Sequence, residues 1–153
     1  MKKIRKIAVI GTGLVGSICA YALVNQEACD ELYLIDINNR RTEGEAWDIA
    51  QGNTFIPKRT KITAADYSIC RELDVIVFTA GGPPKPSQTR LDTLDVSIDI
   101  ADAVVTEVMK NGFKGIFTVA SNPVDIVTYF IYKKVGCLLI KQSEPALQST
   151  QHG

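Results

Sequence analysis

The sequence has no excess charge of either sign, since 17 lysine and arginine residues balance 17 aspartate and glutamate residues. A protein that binds nucleic acid or an anionic membrane carries a clustered positive charge. We therefore expect no nucleic acid and no membrane as a partner. The sequence also lacks an apolar run of the about 20 residues that a membrane-spanning helix needs.

Cysteine is scarce as well, with four residues and no CxxC spacing: Cys19, Cys29, Cys70 and Cys137. This pattern argues against a disulfide framework. Three of the four lie within or beside apolar segments, where cysteine is commonly a small core residue. The sequence therefore predicts a reduced, cytoplasmic setting and no metal site.

The amino terminus has four basic residues before the largely apolar stretch 7–24, which superficially resembles a secretory signal. Three glycines interrupt that stretch, and Ser17, Asn25 and Gln26 dilute it. We therefore favour a folded segment over a signal peptide.

The strongest positive feature is a glycine-rich segment, residues 11–16 (GTGLVG), which follows the apolar run 7–10. Glycines in this pattern allow a strand to end in a tight turn and a helix to begin there. The first N–H groups of that helix can then face a pyrophosphate. Asp36 closes a second apolar run, twenty residues after Gly16. Its carboxylate can accept a hydrogen bond from a ribose 2′-hydroxyl and would repel a 2′-phosphate. The candidate residues for binding NAD, rather than NADP, are Gly11, Gly13, Val15, Gly16 and Asp36.

Apolar runs typical of buried parallel strands alternate with helical patterns along the chain. We predict strands over 6–10, 31–36, 60–63, 74–79 and 115–120, and helices over 14–26, 40–51, 91–110 and 123–134. This alternation predicts a doubly wound parallel α/β sheet with right-handed crossovers. Ligands of such sheets bind at the carboxyl ends of the strands, where the loop 81–87 (GGPPKPS) begins.

Four further segments indicate a family: 79–81 (TAG), 85–86 (KP), 89–92 (TRLD) and 119–125 (VASNPVD). In this order they resemble the L-lactate dehydrogenases and, more broadly, the lactate/malate dehydrogenase superfamily, over roughly residues 4–136. The resemblance implies a Rossmann-type domain, NAD as cofactor and hydride transfer between NADH and a 2-oxo acid such as pyruvate. It also implies a small-molecule 2-oxo or 2-hydroxy acid as partner, a cytoplasmic, glycolytic setting and a full-length form that is a homo-oligomer.

The resemblance assigns roles to particular residues. Arg90 would close over the substrate and polarise the 2-oxo carbonyl, and Asn122 would hydrogen-bond that carbonyl beside the nicotinamide. Further candidates are Asp125 on the substrate, Arg41 and Tyr67 at the adenosine end, and Gly81, Gly82 and Ser121 along the cofactor.

Each of these residues also has a plainer interpretation. Arg90 could form a surface ion pair with Asp92. Asn122 could cap a helix, and Asp125 could simply favour that helix's dipole. The glycines could serve only a turn, and Arg41 and Tyr67 could be exposed packing residues.

The substrate remains open because of Pro84. The family has glutamine at this position for lactate and arginine for malate, whereas proline has no side-chain donor. Malate is therefore disfavoured, and a larger or more apolar 2-hydroxy acid competes with lactate.

The carboxyl-terminal segment departs from the family. A histidine–aspartate pair and a second arginine are expected beyond it, but the only histidine is His152, in none of the family's contexts. One permitted codon choice for residues 137–147, read with one added nucleotide, translates as LPPNKAIGTGT, which is the family's segment. We therefore predict an NAD-binding domain over 1–136 and a frameshifted tail over 137–153, with a genuinely divergent terminus as the alternative.

Two consequences follow from this prediction. The outer edge of the fifth strand would be left open, and these 153 residues would lack turnover. A non-catalytic NAD-binding or subunit-interaction fragment is the alternative function. A short-chain reductase, which would use Tyr129 and Lys133 four residues apart, is the least favoured possibility.

Overall fold

The computed structural model describes residues 4–53, 56–82, 90–136 and 140–142. The strands among them are β1 (Lys6–Ile10), β2 (Glu31–Ile35), β3 (Lys61–Ala64), β4 (Val75–Phe78), β5 (Ile116–Val119) and β6 (Ile140–Gln142). The α-helices are α1 (Leu14–Asn25), α2 (Asn39–Gly52), α3 (Arg90–Lys110) and α4 (Val124–Val135), and a 3-10 helix spans Tyr67–Glu72.

The strands form one sheet in the order β3-β2-β1-β4-β5-β6, and every pair is parallel. Ile10, the last residue of β1, is in register with Ile35 of β2 and with Phe78 of β4. The carboxyl ends of these three strands therefore meet at one edge. The strand order reverses between β1 and β4, which opens a crevice there. The predicted doubly wound parallel sheet is confirmed.

Two apolar layers cover the two faces of the sheet. Val9 and Leu34 pack with α1 and α2 on one face, whereas Ala8, Ile10 and Phe78 pack with α3 and α4 on the other. Successive side chains of a strand point to opposite faces, so strands covered on both sides are apolar throughout. This is why residues 7–10 form a continuous apolar run.

The element boundaries match the sequence prediction to within one or two residues, with two exceptions. The 3-10 helix was not predicted, because it is short and has no sustained apolar period. It is capped by Asp66, whose carboxylate accepts a hydrogen bond from the N–H of Ser68 at 2.8 Å.

The second exception is the edge of β5, and here the sequence prediction was wrong. The edge is not open: Phe117, Thr118 and Val119 pair with Ile140, Lys141 and Gln142 of β6. Parallel pairing joins main-chain N–H and C=O groups, which every non-proline residue carries. A short segment can therefore complete the sheet through its main chain alone.

Candidate functional site

The turn after β1 is built around Gly11. Its φ is +97°, in the region that favours glycine, and a Cβ there would lie 2.7 Å from the Cα and N atoms of Ala80. Its N–H donates to the carbonyl of Ile35 at 2.8 Å. Gly11 therefore brings the ends of β1, β2 and β4 into direct contact.

The other two glycines have different surroundings. A Cβ on Gly16 would lie 1.8 Å from the carbonyl oxygen of Gly11, so Gly16 permits α1 to pack onto the turn. A Cβ on Gly13 would meet no protein atom within 4 Å. Gly13 is the N-cap of α1 and provides no side-chain cap, and Val15 in the first turn is exposed. The amino end of α1 thus offers N–H groups to an anion on its open side.

Asp36 lies directly after β2, facing this turn. Its Oδ2 accepts from the N–H of Thr12 at 2.6 Å and from the Thr12 hydroxyl at 3.2 Å. Its Oδ1 accepts from the N–H of Asn38 at 3.0 Å. A carboxylate oxygen can accept two hydrogen bonds, so Oδ1 retains capacity for a ligand hydroxyl.

A cleft of about 350 Å³ opens at the carboxyl ends of the strands. It brings together six of the predicted cofactor residues: Gly11, Gly13, Asp36, Arg41, Tyr67 and Gly81. Its remaining walls come from Thr79 and Ala80 of the segment 79–81 and from five residues that the sequence did not single out as candidates: Ile10, Ile37, Ile100, Ala103 and Val104. Val15, Gly16, Gly82, Ser121 and Asn122 do not line it.

The outer end of the cleft is partly apolar and partly cationic. Ile37 is 97 % exposed, a very large exposure for an isoleucine directly after a buried strand. An apolar residue following the acid is a signal that could have identified it. Arg41 is exposed and its Nε lies 4.0 Å from Glu45 Oε1. Burial, followed by electrostatic interaction with Cys70 and Asp36, raises the pKa of Tyr67. These side chains could border a flat ring.

Ser121 is held inside the protein. It is 5 % exposed, and its hydroxyl donates to the carbonyl of Ala80 at 2.5 Å. A Cβ on Gly81 would lie 3.1 Å from the Ser121 Oγ. In this structure Ser121 therefore joins the ends of β4 and β5 and fixes the backbone that lines the cleft.

Asn122 is exposed, and the structure overturns its interpretation as a helix cap. The N-cap of α4 is Pro123, and no side chain caps this helix with a hydrogen bond. The backbone at Pro123 is extended, and the helix begins at Val124. The Asn122 carbonyl accepts from the Ser97 hydroxyl at 3.1 Å. Among the described residues no hydrogen-bond partner is found for its side-chain amide.

The substrate end is described only in part. Arg90 begins α3, but its side chain lies outside the described part of the chain, as do Pro84 and the rest of 83–89. Ser97 is seven residues further along α3, which is about 10 Å along the axis. A Cβ on Gly82 would lie 3.0 Å from Val96 Cγ1, so the loop after β4 packs against the same helix.

Asp125 is exposed in the first turn of α4, where a negative charge favours the helix dipole. The pair expected of a short-chain reductase lies elsewhere on α4. Lys133 Nζ is 5.6 Å from the centre of the Tyr129 ring, both residues are exposed, and neither lines the cleft.

The described residues contain no group of three or more histidine, cysteine, aspartate or glutamate side chains placed to hold a metal ion. None of their helices is long and apolar enough to cross a membrane.

Known proteins with similar sequences include L-lactate dehydrogenases. L-lactate dehydrogenase 3 of Bacillus cereus is 55 % identical over 132 residues, which are 86 % of this chain and 42 % of that protein. L-lactate dehydrogenase of Geobacillus thermodenitrificans is 47 % identical over 131 residues, 86 % of this chain and 41 % of that protein. The chain therefore spans less than half the length of these relatives.

A solved structure of another L-lactate dehydrogenase has a similar fold. The ligand-bound minor L-lactate dehydrogenase of Enterococcus mundtii superposes with a TM-score of 0.86 at 44 % identity, covering 88 % of this chain and 43 % of that one. The family model for the NAD-binding domain of lactate/malate dehydrogenases matches residues 5–141. With the fold, the glycine turn and the acid after β2 in place, the chain belongs to the lactate/malate dehydrogenase family and carries its NAD-binding domain.

Proposed function

We propose that the cleft at the carboxyl ends of β1, β2 and β4 binds NAD, and that a protein of full family length containing this domain interconverts L-lactate and pyruvate. One observation carries the proposal: the amino end of α1, which has no side-chain cap, and the carboxylate of Asp36 lie at the same crevice. The first can bind a pyrophosphate and the second a ribose hydroxyl.

The proposed cofactor contacts follow from this placement. Gly11, Gly13, Val15 and Gly16 form the pyrophosphate turn, with Gly16 allowing the close approach of α1 and not itself lining the cleft. Asp36 accepts the ribose hydroxyl, and Arg41 and Tyr67 border the adenosine end. Gly81 and Gly82 carry the backbone past the nicotinamide end, where Ser121 supports them through the Ala80 carbonyl.

On the substrate side, NAD supplies the hydride chemistry when bound, and the chain's own residues orient the 2-oxo acid. Asn122 offers its exposed amide to the carbonyl oxygen, and Arg90 supplies a positive charge where negative charge develops. Asp125 is a weaker candidate, because its place in the first turn of α4 is sufficient to explain it. Pro84 leaves a larger or more apolar 2-hydroxy acid as the competing substrate.

For the 153 residues by themselves we propose NAD binding without turnover, in a cytoplasmic setting. The only histidine is His152, which lies outside both the family's sequence contexts and the described residues. The longer form would be a homo-oligomer, as the family resemblance implies. The second candidate function is a non-catalytic fragment that associates with intact subunits. Co-purification with a full-length relative would favour it.

Calorimetric titration of the purified chain with NADH and NADPH tests the cofactor proposal. We expect NADH to bind more tightly, and Asp36→Ala to weaken NADH binding at least about tenfold, because a hydrogen bond to a charged group is lost. Asp48→Ala, an exposed acid on α2, is the control and should bind as the original chain does. Equal binding of both cofactors, or no effect of Asp36→Ala, contradicts the proposal. Steady NADH oxidation with pyruvate by this chain contradicts the absence of turnover.

The division of the chain into residues 1–136 and a frameshifted tail is also a proposal. Sequencing the gene from codon 130 to well past codon 153 tests it. We expect the restored frame to continue into a histidine and a second arginine. A single uninterrupted frame through these codons, with no such continuation, would make 137–153 a genuine divergent terminus.

A further inference from the structure

Thr12, the second residue of the glycine turn, is completely buried and does not line the cleft. Both of its donors point at one atom, Asp36 Oδ2: the N–H at 2.6 Å and the hydroxyl at 3.2 Å. Its carbonyl accepts from the Ser17 hydroxyl on α1 at 3.2 Å. Thr12 thus links the first helix to the acid after β2.

The opposite side of Asp36 is held as well. Asn38 donates its N–H to Oδ1 at 3.0 Å, and the Asn38 side chain accepts from the N–H of Arg41 at 3.1 Å as the N-cap of α2. The carboxylate therefore lies between two helix starts. Hydrogen bonds to both of its oxygens restrain the rotation of the carboxylate. Of the three donors, only the Thr12 hydroxyl belongs to a side chain.

We propose that Thr12 is a positioning residue for cofactor specificity, acting through Asp36. Its hydroxyl fixes the carboxylate so that Oδ1 faces the ribose and the negative charge stays where a 2′-phosphate would have to lie. This inference rests on the proposed NAD site. Without the hydroxyl the carboxylate can turn, so it accepts a ribose hydroxyl less well and repels a 2′-phosphate less strongly.

Thr12→Val tests this inference, since valine keeps the branched shape and the backbone donor but loses the hydroxyl. Thr12→Ala is a second hydroxyl-free variant, and Thr12→Ser restores the hydroxyl. The matched control is Thr60→Val. Thr60 is 3 % exposed, and its hydroxyl donates to the Cys29 carbonyl at 3.0 Å, away from the cleft residues.

The readout is the pair of dissociation constants for NADH and NADPH from calorimetry, with thermal melting alongside. We expect Thr12→Val and Thr12→Ala to weaken NADH binding about three- to tenfold, as loss of one hydrogen bond implies. NADPH binding should weaken less, so the preference for NADH narrows. Thr12→Ser and Thr60→Val should keep the original preference.

The outcomes separate this inference from the proposed function. If the unsubstituted chain binds neither cofactor, the proposed NAD site fails, and the role of Thr12 fails with it. If it prefers NADH and the hydroxyl-free variants keep that preference, only the role of Thr12 is overturned. Equal weakening of NADH and NADPH also overturns it, because it would mean that Thr12 supports the turn without affecting specificity.

Discussion

At Gly11, Gly13 and Gly16 the absence of a side chain meets three different needs. Gly11 has a positive φ, Gly16 lies against the backbone of the turn, and Gly13 has ordinary extended backbone beside open space. The sequence spacing identified all three as one motif. Only the structure separates Gly11 and Gly16, which the fold requires, from Gly13, which has no neighbouring protein atoms and lines the cleft.

Alanine substitutions at Gly16 and Gly13 should therefore affect different properties, stability at Gly16 and NADH binding at Gly13. Gly16→Ala should destabilise the fold by about 3 kcal/mol or more, because its Cβ would overlap the Gly11 carbonyl. Gly13→Ala should leave the free energy of unfolding within about 0.5 kcal/mol. It should nevertheless weaken NADH binding at least about fivefold, because its methyl group fills space that the ligand needs. Urea unfolding and NADH titration measure the two effects.

Gly44→Ala is the control for this pair. Gly44 lies within α2, has no atom within 4 Å of its Cβ position and does not line the cleft. The change should stabilise the helix by up to about 1 kcal/mol and leave NADH binding unchanged. If Gly13→Ala binds NADH normally, the pyrophosphate does not lie against Gly13.

Ion pairs and hydrogen bonds of charged residues connect the amino ends of β1 and β2. Asp30 accepts from the N–H of Arg5 at 2.8 Å and lies 2.6 Å from Lys58 Nζ. Lys6 Nζ lies 2.6 Å from Glu72 and 3.3 Å from Glu31. The close ion pair with Lys58, followed by the hydrogen bond from the Arg5 backbone N–H, holds the pKa of Asp30 well below its usual range. These contacts join segments far apart in sequence, so local patterns did not predict them.

Asp30 should make stability depend on acid pH. Because its pKa is lower in the folded state, its contribution is present above the unfolded value of about 4 and is lost as the pH falls below it. We expect urea unfolding of the original chain to show a larger loss of stability on acidification than that of Asp30→Asn. Asp48→Asn, at an exposed position on α2, should lose as much as the original chain. Equal losses of stability on acidification in all three proteins would show that Asp30 does not contribute to this pH dependence.

The predicted elements were right where the residues are apolar over most of a strand or helix, as in β1 and α1. They were incomplete where a contact with another segment decides the conformation. Asn122 shows this, because an Asn-Pro pair is typical of a helix start, yet α4 has Pro123 at its N-cap. The pairing of β6 likewise depends on main-chain groups along the edge of β5, more than twenty residues away in sequence.

Several helices of the molecule expose apolar side chains, α1 and α4 among them. Leu14, Ile18 and Tyr21 lie along one face of α1 with 78 %, 62 % and 54 % of their surface exposed, and Tyr129 and Tyr132 are exposed on α4. A net charge of zero provides little repulsion between copies of the chain. Both features favour association.

We expect sedimentation velocity to show concentration-dependent association of the purified chain. Apolar surface would become buried between molecules, so the mean sedimentation coefficient should rise as protein concentration increases. A single monomeric species at low and high concentration, with a sharp thermal transition that does not depend on concentration, would contradict this expectation.

The sequence by itself determined the parallel α/β class and the place of the glycine turn, and it predicts Asp36 as the acid of a dinucleotide site. These depend on local requirements: backbone freedom at glycine, apolar residues in each element and a fixed distance to the acid. Tertiary structure alone decided that Thr12 restrains Asp36, that Ser121 supports Ala80 and that β6 completes the sheet. Each of these contacts joins residues more than twenty positions apart, which become neighbours only when the parallel strands align their carboxyl ends.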